Sequence, residues 1–141
     1  MGLIKLLLLK DQLILNWKFK KNQLNFINID KIRIQQVVNN LLDNAIKFSP
    51  DNSQVIVRIS NKNQRKIITE IIDFGPGIPE KEQYKLFKEY QKTNIKPPSG
   101  LKGTGLGLAI AKKIINKHKG KIGVTSEIGK FTNFYFTLPV N

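Results

Sequence analysis

The amino-acid sequence predicts an α/β (α+β) two-layer sandwich, a mixed and mostly antiparallel sheet with its helices on one face. Three features carry this. Apolar residues recur at helical spacing over 30–48 and again after residue 107. Short alternating segments, bounded by Asn, Gly, Pro and Ser clusters, stand between and after them. The 141 residues are 40% hydrophobic and 24% charged, with neither an internal repeat nor a break in composition, which suits one packed domain.

The elements follow in order. Residues 2–10 read as the last turns of a preceding helix, so 1–12 is expected to be its remnant and 13–141 the domain. Leu13, Leu15, Trp17 and Phe19 alternate with Asn16 and Lys18, and with the polar turn 20–23 and the segment 24–29 they make, most simply, a hairpin. Asp30 can cap a helix to Phe48, carried by Ile34, Val37, Val38, Leu41, Leu42, Ala45 and Phe48. Ser49-Pro50-Asp51-Asn52 ends it. Strands are expected at 55–60 and 66–73 around the polar turn 61–65. The second runs into Asp73-Phe74-Gly75-Pro76-Gly77-Ile78-Pro79, a sharp change of direction. A short helix over 80–90, with acidic residues in its first turn, precedes the aperiodic loop 91–102. Gly103-Thr104-Gly105-Leu106-Gly107-Leu108 opens a helix through Lys119. Residues 121–126 and 131–138 close the chain as a hairpin around Ile128-Gly129.

Composition narrows the function. Lys and Arg outnumber Asp and Glu by 24 to 10, giving +14. Only three of those cations are arginine (Arg33, Arg58, Arg65), the lysines are scattered, and Ile, Lys and Asn make up 55 residues. Nucleic-acid readers favour the planar arginine fork, so the charge reads as compositional bias that helps collect an anionic nucleotide, with no specific nucleic-acid surface. No cysteine is present, which excludes thiol catalysis and a Cys-based zinc site in this chain. One histidine, His118, leaves little room for a His-rich metal site or a Ser-His-Asp triad. The apolar run Leu6-Leu7-Leu8-Leu9 is too short to cross a bilayer, and the expected location is cytoplasmic, with any membrane attachment through a parent protein.

Three motifs bear on chemistry. Asn40, Asn44 and Lys47 share one face of the first long helix, where an amide could offer oxygen to Mg²⁺ and a lysine could meet phosphate; a solvated helix face is the other reading. Asp73 at a strand end could accept from an exocyclic amine, with Gly75 and Gly77 allowing close approach, or it could belong to a plain Asp-Gly turn. Gly103, Gly105 and Gly107 lead into a helix whose first N–H groups suit phosphate, and could equally be hinges.

The order and spacing of Asn-Leu-Leu-Asp-Asn-Ala-Ile-Lys-Phe-Ser-Pro at 40–50, Asp-Phe-Gly-Pro-Gly-Ile-Pro at 73–79 and Gly-Thr-Gly-Leu-Gly-Leu-Ala-Ile at 103–110 resemble the catalytic ATP-binding domain of sensor histidine kinases. These belong to the superfamily that includes gyrase, Hsp90 and MutL. Asp30, Arg33, Gln36 and the run Leu86-Phe87-Lys88-Glu89-Tyr90 fit as well, so the resemblance covers nearly the whole chain. It implies a Bergerat-type fold that binds ATP with Mg²⁺. By similarity, Asn44 is the Mg²⁺ ligand, Asn40 lies beside it and Lys47 reaches the phosphates. Asp73 accepts from the adenine amine, Gly75 and Gly77 pass close to the base, and Ile78 walls its pocket. Lys102, Gly103, Thr104, Gly105, Leu106 and Gly107 form the phosphate-side loop, 91–102 the ATP lid, and Thr132 places a hydroxyl near the adenine. Phe87 is expected to anchor the lid.

Two departures qualify this. Hydrolytic members carry glutamate where this chain has Asn40, which cannot act as a general base, so the resemblance favours phosphoryl transfer over hydrolysis. Phe131 replaces a family glycine and is expected to narrow the adenine end. The family's phosphoacceptor histidine sits on a dimerisation hairpin preceding this domain, whereas His118 follows the second glycine-led helix and is expected to be structural. The implied partners are that hairpin, in cis or in trans, and a response regulator. The alternative is a truncated nucleotide-binding interaction module without kinase activity of its own.

Overall fold

A computed structural model describes residues 14–19, 27–89 and 105–140, the first of these by backbone alone. Its elements are β1 (Ile14–Phe19), α1 (Lys31–Phe48), β2 (Gln54–Lys62), β3 (Lys66–Asp73), α2 (Glu80–Gln83), α3 (Gly107–Lys117), β4 (Lys121–Glu127) and β5 (Phe131–Pro139). The expected helix remnant at 1–12 and the lid at 91–102 lie outside the described residues.

The five strands form one sheet in the order β1-β2-β3-β5-β4. Hairpins join β2 to β3 and β4 to β5, and β3 and β5 are antiparallel neighbours. The mixed, mostly antiparallel sheet is therefore as expected. The partner of β1 is not. Among the described residues it pairs parallel with β2, Ile14 opposite Gln54 through Phe19 opposite Ile59; of the expected hairpin strand 24–29, residues 27–29 are coil and 24–26 lie outside the described residues. Residues 27–30 are coil leading into α1. Alternation identifies a strand without naming its neighbour, and α1 supplies the crossover that a parallel pair requires.

α1 begins where Asp30 accepts a hydrogen bond from the Arg33 N–H at 3.2 Å. It ends where the Ser49 hydroxyl and N–H both bond the Ala45 carbonyl, at 2.6 and 2.9 Å, just before Pro50. Its buried stripe, Ile34, Val37, Leu41, Leu42 and Ala45, repeats at helical spacing and packs on α3 and on the sheet. From the sheet side, Val55, Val57, Ile71, Phe134, Phe136 and Leu138 meet it to complete the core, with Ala111, Ile114 and Ile115 of α3. Strand alternation puts these residues, with Asp73, Thr132 and Ser126, on the helix-covered face. On the other face Arg58 makes a bidentate ion pair with Glu70, its cross-strand partner, at 2.6 and 3.0 Å. The pair holds the Glu70 carboxyl below its usual range.

α2 is shorter than the helix expected over 80–90. After Gln83 the chain continues in tight turns, with N–H groups of Lys85, Leu86 and Lys88 bonding carbonyls three residues back. Leu86 and Phe87, adjacent in sequence, both pack against the core. Phe87 meets Phe134 edge-on, ring centroids 6.2 Å apart at 82°. α3 also starts later than expected, at Gly107, and ends at Lys117 with His118 as its C-cap.

Candidate nucleotide site

Asp73 ends β3 on the helix-covered face, 1% exposed, and stands opposite Thr132 of β5 in the sheet register. Its Oδ1 accepts from the Gly75 N–H at 2.9 Å. Burial pushes the carboxyl up to about 7, against the opposing effect of that one N–H. Among the described residues the Gly75 N–H is the donor this buried carboxylate has, and a carboxylate so placed suits a further N–H from a ligand.

The loop after Asp73 is clamped on two sides. A side chain at Gly75 would strike the Phe48 carbonyl at the end of α1, and one at Gly77 would strike the Glu127 carbonyl on the opposite side. Gly77 also has φ +76°, a left-handed conformation that side chains disfavour. The glycines were expected to admit a ligand; here the space their side chains would need is filled by the protein's own backbone. Gly129 N–H donates to the Pro76 carbonyl at 2.8 Å, and Ile78 N–H to Ser126 Oγ at 2.8 Å. Ile78 itself is buried in the core, and its carbonyl accepts from Gln83 Nε2 at 3.0 Å.

Thr132, 4% exposed, lies 2.9 Å from Ser126 Oγ through its hydroxyl. Phe131, one residue earlier, falls on the opposite face of the sheet by strand alternation, and so does not narrow the site from this side. Ser126 escaped the sequence reading. Its signal was available: on β4 it follows Ile122 and Val124 at steps of two, a polar residue on an apolar face.

At the other end, α1 presents Asn40, Asn44 and Lys47, all half-buried. Asn40 Nδ2 donates to the Gly107 carbonyl at 3.0 Å, joining the middle of α1 to the first residue of α3. That bond gives Asn40 a positioning role at the glycine loop. The Lys47 ammonium sits 5.4 Å from the Phe48 ring centroid. Gly105 has φ +77°, and among the described residues no side chain caps the N-terminus of α3, a kind of helix start whose backbone N–H groups favour anions. Lys102, Gly103 and Thr104 lie outside the described residues. Among the described residues no cluster of His, Cys, Asp and Glu could hold a metal. A cation here would take the Asn44 amide oxygen and complete its shell with water and substrate oxygens, which is how Mg²⁺ is commonly bound.

His118 is occupied on both ring nitrogens: Nε2 accepts from the Asp30 N–H at 3.0 Å, and Nδ1, 2.8 Å from the Ile114 carbonyl, must carry the proton and donate. It ties the end of α3 to the start of α1, the structural role expected of it. No described helix is long and apolar enough to cross a membrane.

Comparison with known proteins agrees with this geometry. The profile of a family described as histidine kinase-, DNA gyrase B-, and HSP90-like ATPase matches residues 29–141. The adaptive-response sensory kinase SasA of Gloeothece citriformis (strain PCC 7424) is 43% identical over 111 residues, 79% of this chain and 28% of that protein. The chain thus spans under a third of that relative's length. Among solved structures, the mycobacterial sensor histidine kinase MprB superposes with a TM-score of 0.82 at 26% identity, covering 99% of this chain and 90% of that one. Full-length ShkA in complex with AMPPNP gives 0.78 at 26% identity, covering 91% and 26%. Histidine kinase ThkA in complex with response regulator protein TrrA gives 0.73 at 27% identity, covering 92% and 34%.

Proposed function

The chain belongs to the histidine kinase-, DNA gyrase B- and HSP90-like ATPase family, and from that premise we propose that it is the ATP-binding catalytic domain of a two-component sensor histidine kinase. The observation that carries this is the buried Asp73, which has one backbone donor and stands opposite the Thr132 hydroxyl at the closed end of the site. An adenine amine supplies the donor the carboxylate lacks. Ile78 forms part of the wall, and the clamped loop at Gly75 and Gly77 holds Asp73 in place.

At the open end, Asn44 is the ligand for Mg²⁺, which would neutralise charge developing on the phosphates. In this reading Lys47 and the phosphate-side run Lys102, Gly103, Thr104, Gly105, Leu106 and Gly107 would meet the same oxygens, with 91–102 as the lid. Asn40 holds the start of α3 against α1. In the reaction, an imidazole nitrogen on the dimerisation hairpin attacks the γ-phosphorus; the P–N bond forms as the β–γ bridging P–O bond breaks, and ADP leaves. Such a transfer needs alignment and charge neutralisation more than a base. Asn40, where hydrolytic relatives carry glutamate, accords with that. The acceptor is a histidine carried in cis in a longer parent or in trans. The phosphoryl group then passes to a response regulator, a partner class that the ThkA–TrrA complex supports. A cytoplasmic location follows from the requirement for ATP.

Calorimetric titration of ATP with and without Mg²⁺, followed by γ-³²P transfer to a separate histidine-bearing hairpin, tests the proposal. Magnesium-dependent binding and labelling of the hairpin are expected. Binding with no labelling at any hairpin concentration would overturn the kinase reading and leave a nucleotide-binding interaction module.

A further inference from the structure

Ser126 Oγ has three polar neighbours: the Ile78 N–H at 2.8 Å, the Phe131 carbonyl at 2.7 Å and the Thr132 hydroxyl at 2.9 Å. A serine hydroxyl has one proton and two lone pairs. The Ile78 N–H can only donate and the Phe131 carbonyl can only accept. Were Ser126 to give its proton to Thr132, two oxygens 2.7 Å apart would face each other with no hydrogen between them. One assignment alone puts a hydrogen in every contact: Ser126 donates to Phe131, and accepts from Ile78 and from Thr132. The Thr132 proton is therefore spent inside the protein, and Thr132 Oγ1 has only lone pairs left to offer.

Its neighbour across the β3–β5 pair is Asp73, whose Oδ1 already accepts from Gly75. The closed end of the site thus brings together two acceptors on directly opposed residues. A primary amine, with two N–H groups, answers both. A carbonyl oxygen in the same place would meet lone pairs on either side.

We propose that Ser126 is a specificity-determining positioning residue, which by consuming the Thr132 proton fixes Thr132 as an acceptor and so selects 6-amino over 6-oxo purine nucleotides. The inference rests on the adenine reading above. It adds a residue that touches no nucleotide and acts through the hydroxyl beside it.

Without the Ser126 hydroxyl, the Thr132 proton loses the acceptor that fixes it and is free to turn toward a ligand, where it can donate to a 6-oxo group. The test compares ATP with ITP, which differ at position 6 of the base in this sense, by calorimetry on the folded chain. The wild-type protein is expected to prefer ATP by at least about 100-fold, within what a site built for one hydrogen-bonding pattern achieves against another. Ser126→Ala should cut that preference at least tenfold, with ITP binding tighter than to wild type, and Ser126→Thr should restore it. A merely structural role would weaken both nucleotides alike and leave their ratio unchanged, which would overturn the proposal. Should Ser126→Ala fail to fold, Thr132→Val gives the second arm. It removes the hydroxyl, and its preference should fall toward that expected of Ser126→Ala, while Thr132→Ser keeps the wild-type ratio; an unchanged ratio in Thr132→Val refutes the assignment. If the wild-type chain binds ATP and ITP equally, the adenine reading itself fails, before Ser126 is reached.

Discussion

Asp73→Asn should make the protein more stable at alkaline pH while weakening its hold on ATP. The Asp73 carboxyl is 1% exposed and its pKa rises from 3.8 to about 7 in the folded chain. The folded state therefore holds the proton more tightly than the unfolded state. The stability this contributes is full below pH 3.8 and is lost as pH climbs through 7, where the carboxylate must be ionised inside the protein. At about 1.4 kcal/mol per pH unit the whole rise corresponds to roughly 4 kcal/mol, of which about 2–3 kcal/mol falls between pH 5 and pH 8. An asparagine keeps the oxygen that accepts from the Gly75 N–H and carries no charge to desolvate. Melting temperatures of the two proteins, read by circular dichroism from pH 5 to pH 8, should diverge in favour of the variant by roughly 8 °C. Groups shared by both proteins cancel in that difference. ATP affinity should fall at least tenfold in the variant, since a hydrogen bond to a charged acceptor is worth about 1.5–3 kcal/mol. In wild type it should rise with pH through 7, as the acceptor ionises. Melting curves that shift in parallel across the range would refute the reasoning, and so would a variant less stable than wild type at pH 8.

Three other outcomes are expected. Asn44→Ala should abolish the gain in ATP affinity that Mg²⁺ provides, leaving Mg²⁺-free binding and the far-ultraviolet circular dichroism spectrum nearly unchanged; a persisting magnesium effect in calorimetry would move the cation site elsewhere. Gly75→Ala should cost about 1–3 kcal/mol in urea unfolding, because its methyl group meets the Phe48 carbonyl and not a flexible side chain. Wild-type stability in that variant would mean the loop is free to shift. His118→Ala should cost about 1–2 kcal/mol through two lost hydrogen bonds while leaving γ-phosphoryl transfer to a separate hairpin intact; loss of labelling in a folded variant would make His118 part of the chemistry.

Much of this molecule is legible from local physics. Asp30 caps α1 as its side chain suggests, and the apolar stripe from Ile34 to Ala45 is buried as its period requires. The β2–β3 and β4–β5 hairpins fall where alternation and turn residues put them. What escaped depends on contacts distant in sequence. The periodicity of residues 14–19 holds no information on whether their neighbour is a following hairpin strand or β2, reached across α1. The segment around Leu86 and Phe87 looks helical, but past Gln83 its N–H groups bond carbonyls three residues back. At the site, the sequence marks Asp73, Gly75, Gly77 and Thr132. That Gly75 answers to the end of α1, and that Ser126 governs the Thr132 proton, follows only from elements brought together by the fold.

The position of β5 has a consequence for how the protein comes to exist. It follows every other described element in the chain, yet it lies between β3 and β4 and supplies Thr132 to the site. Until residues 131–139 have left the ribosome, β3 presents an unpaired edge carrying Ile67, Ile68, Ile71 and Ile72, the kind of edge that recruits strands from other chains. The core cannot close progressively from the N-terminus, because Phe134 and Phe136 arrive after every helix they pack against. Folding of this sheet must wait for residues 131–139, and over that interval nothing among the described strands covers the β5-facing edge of β3.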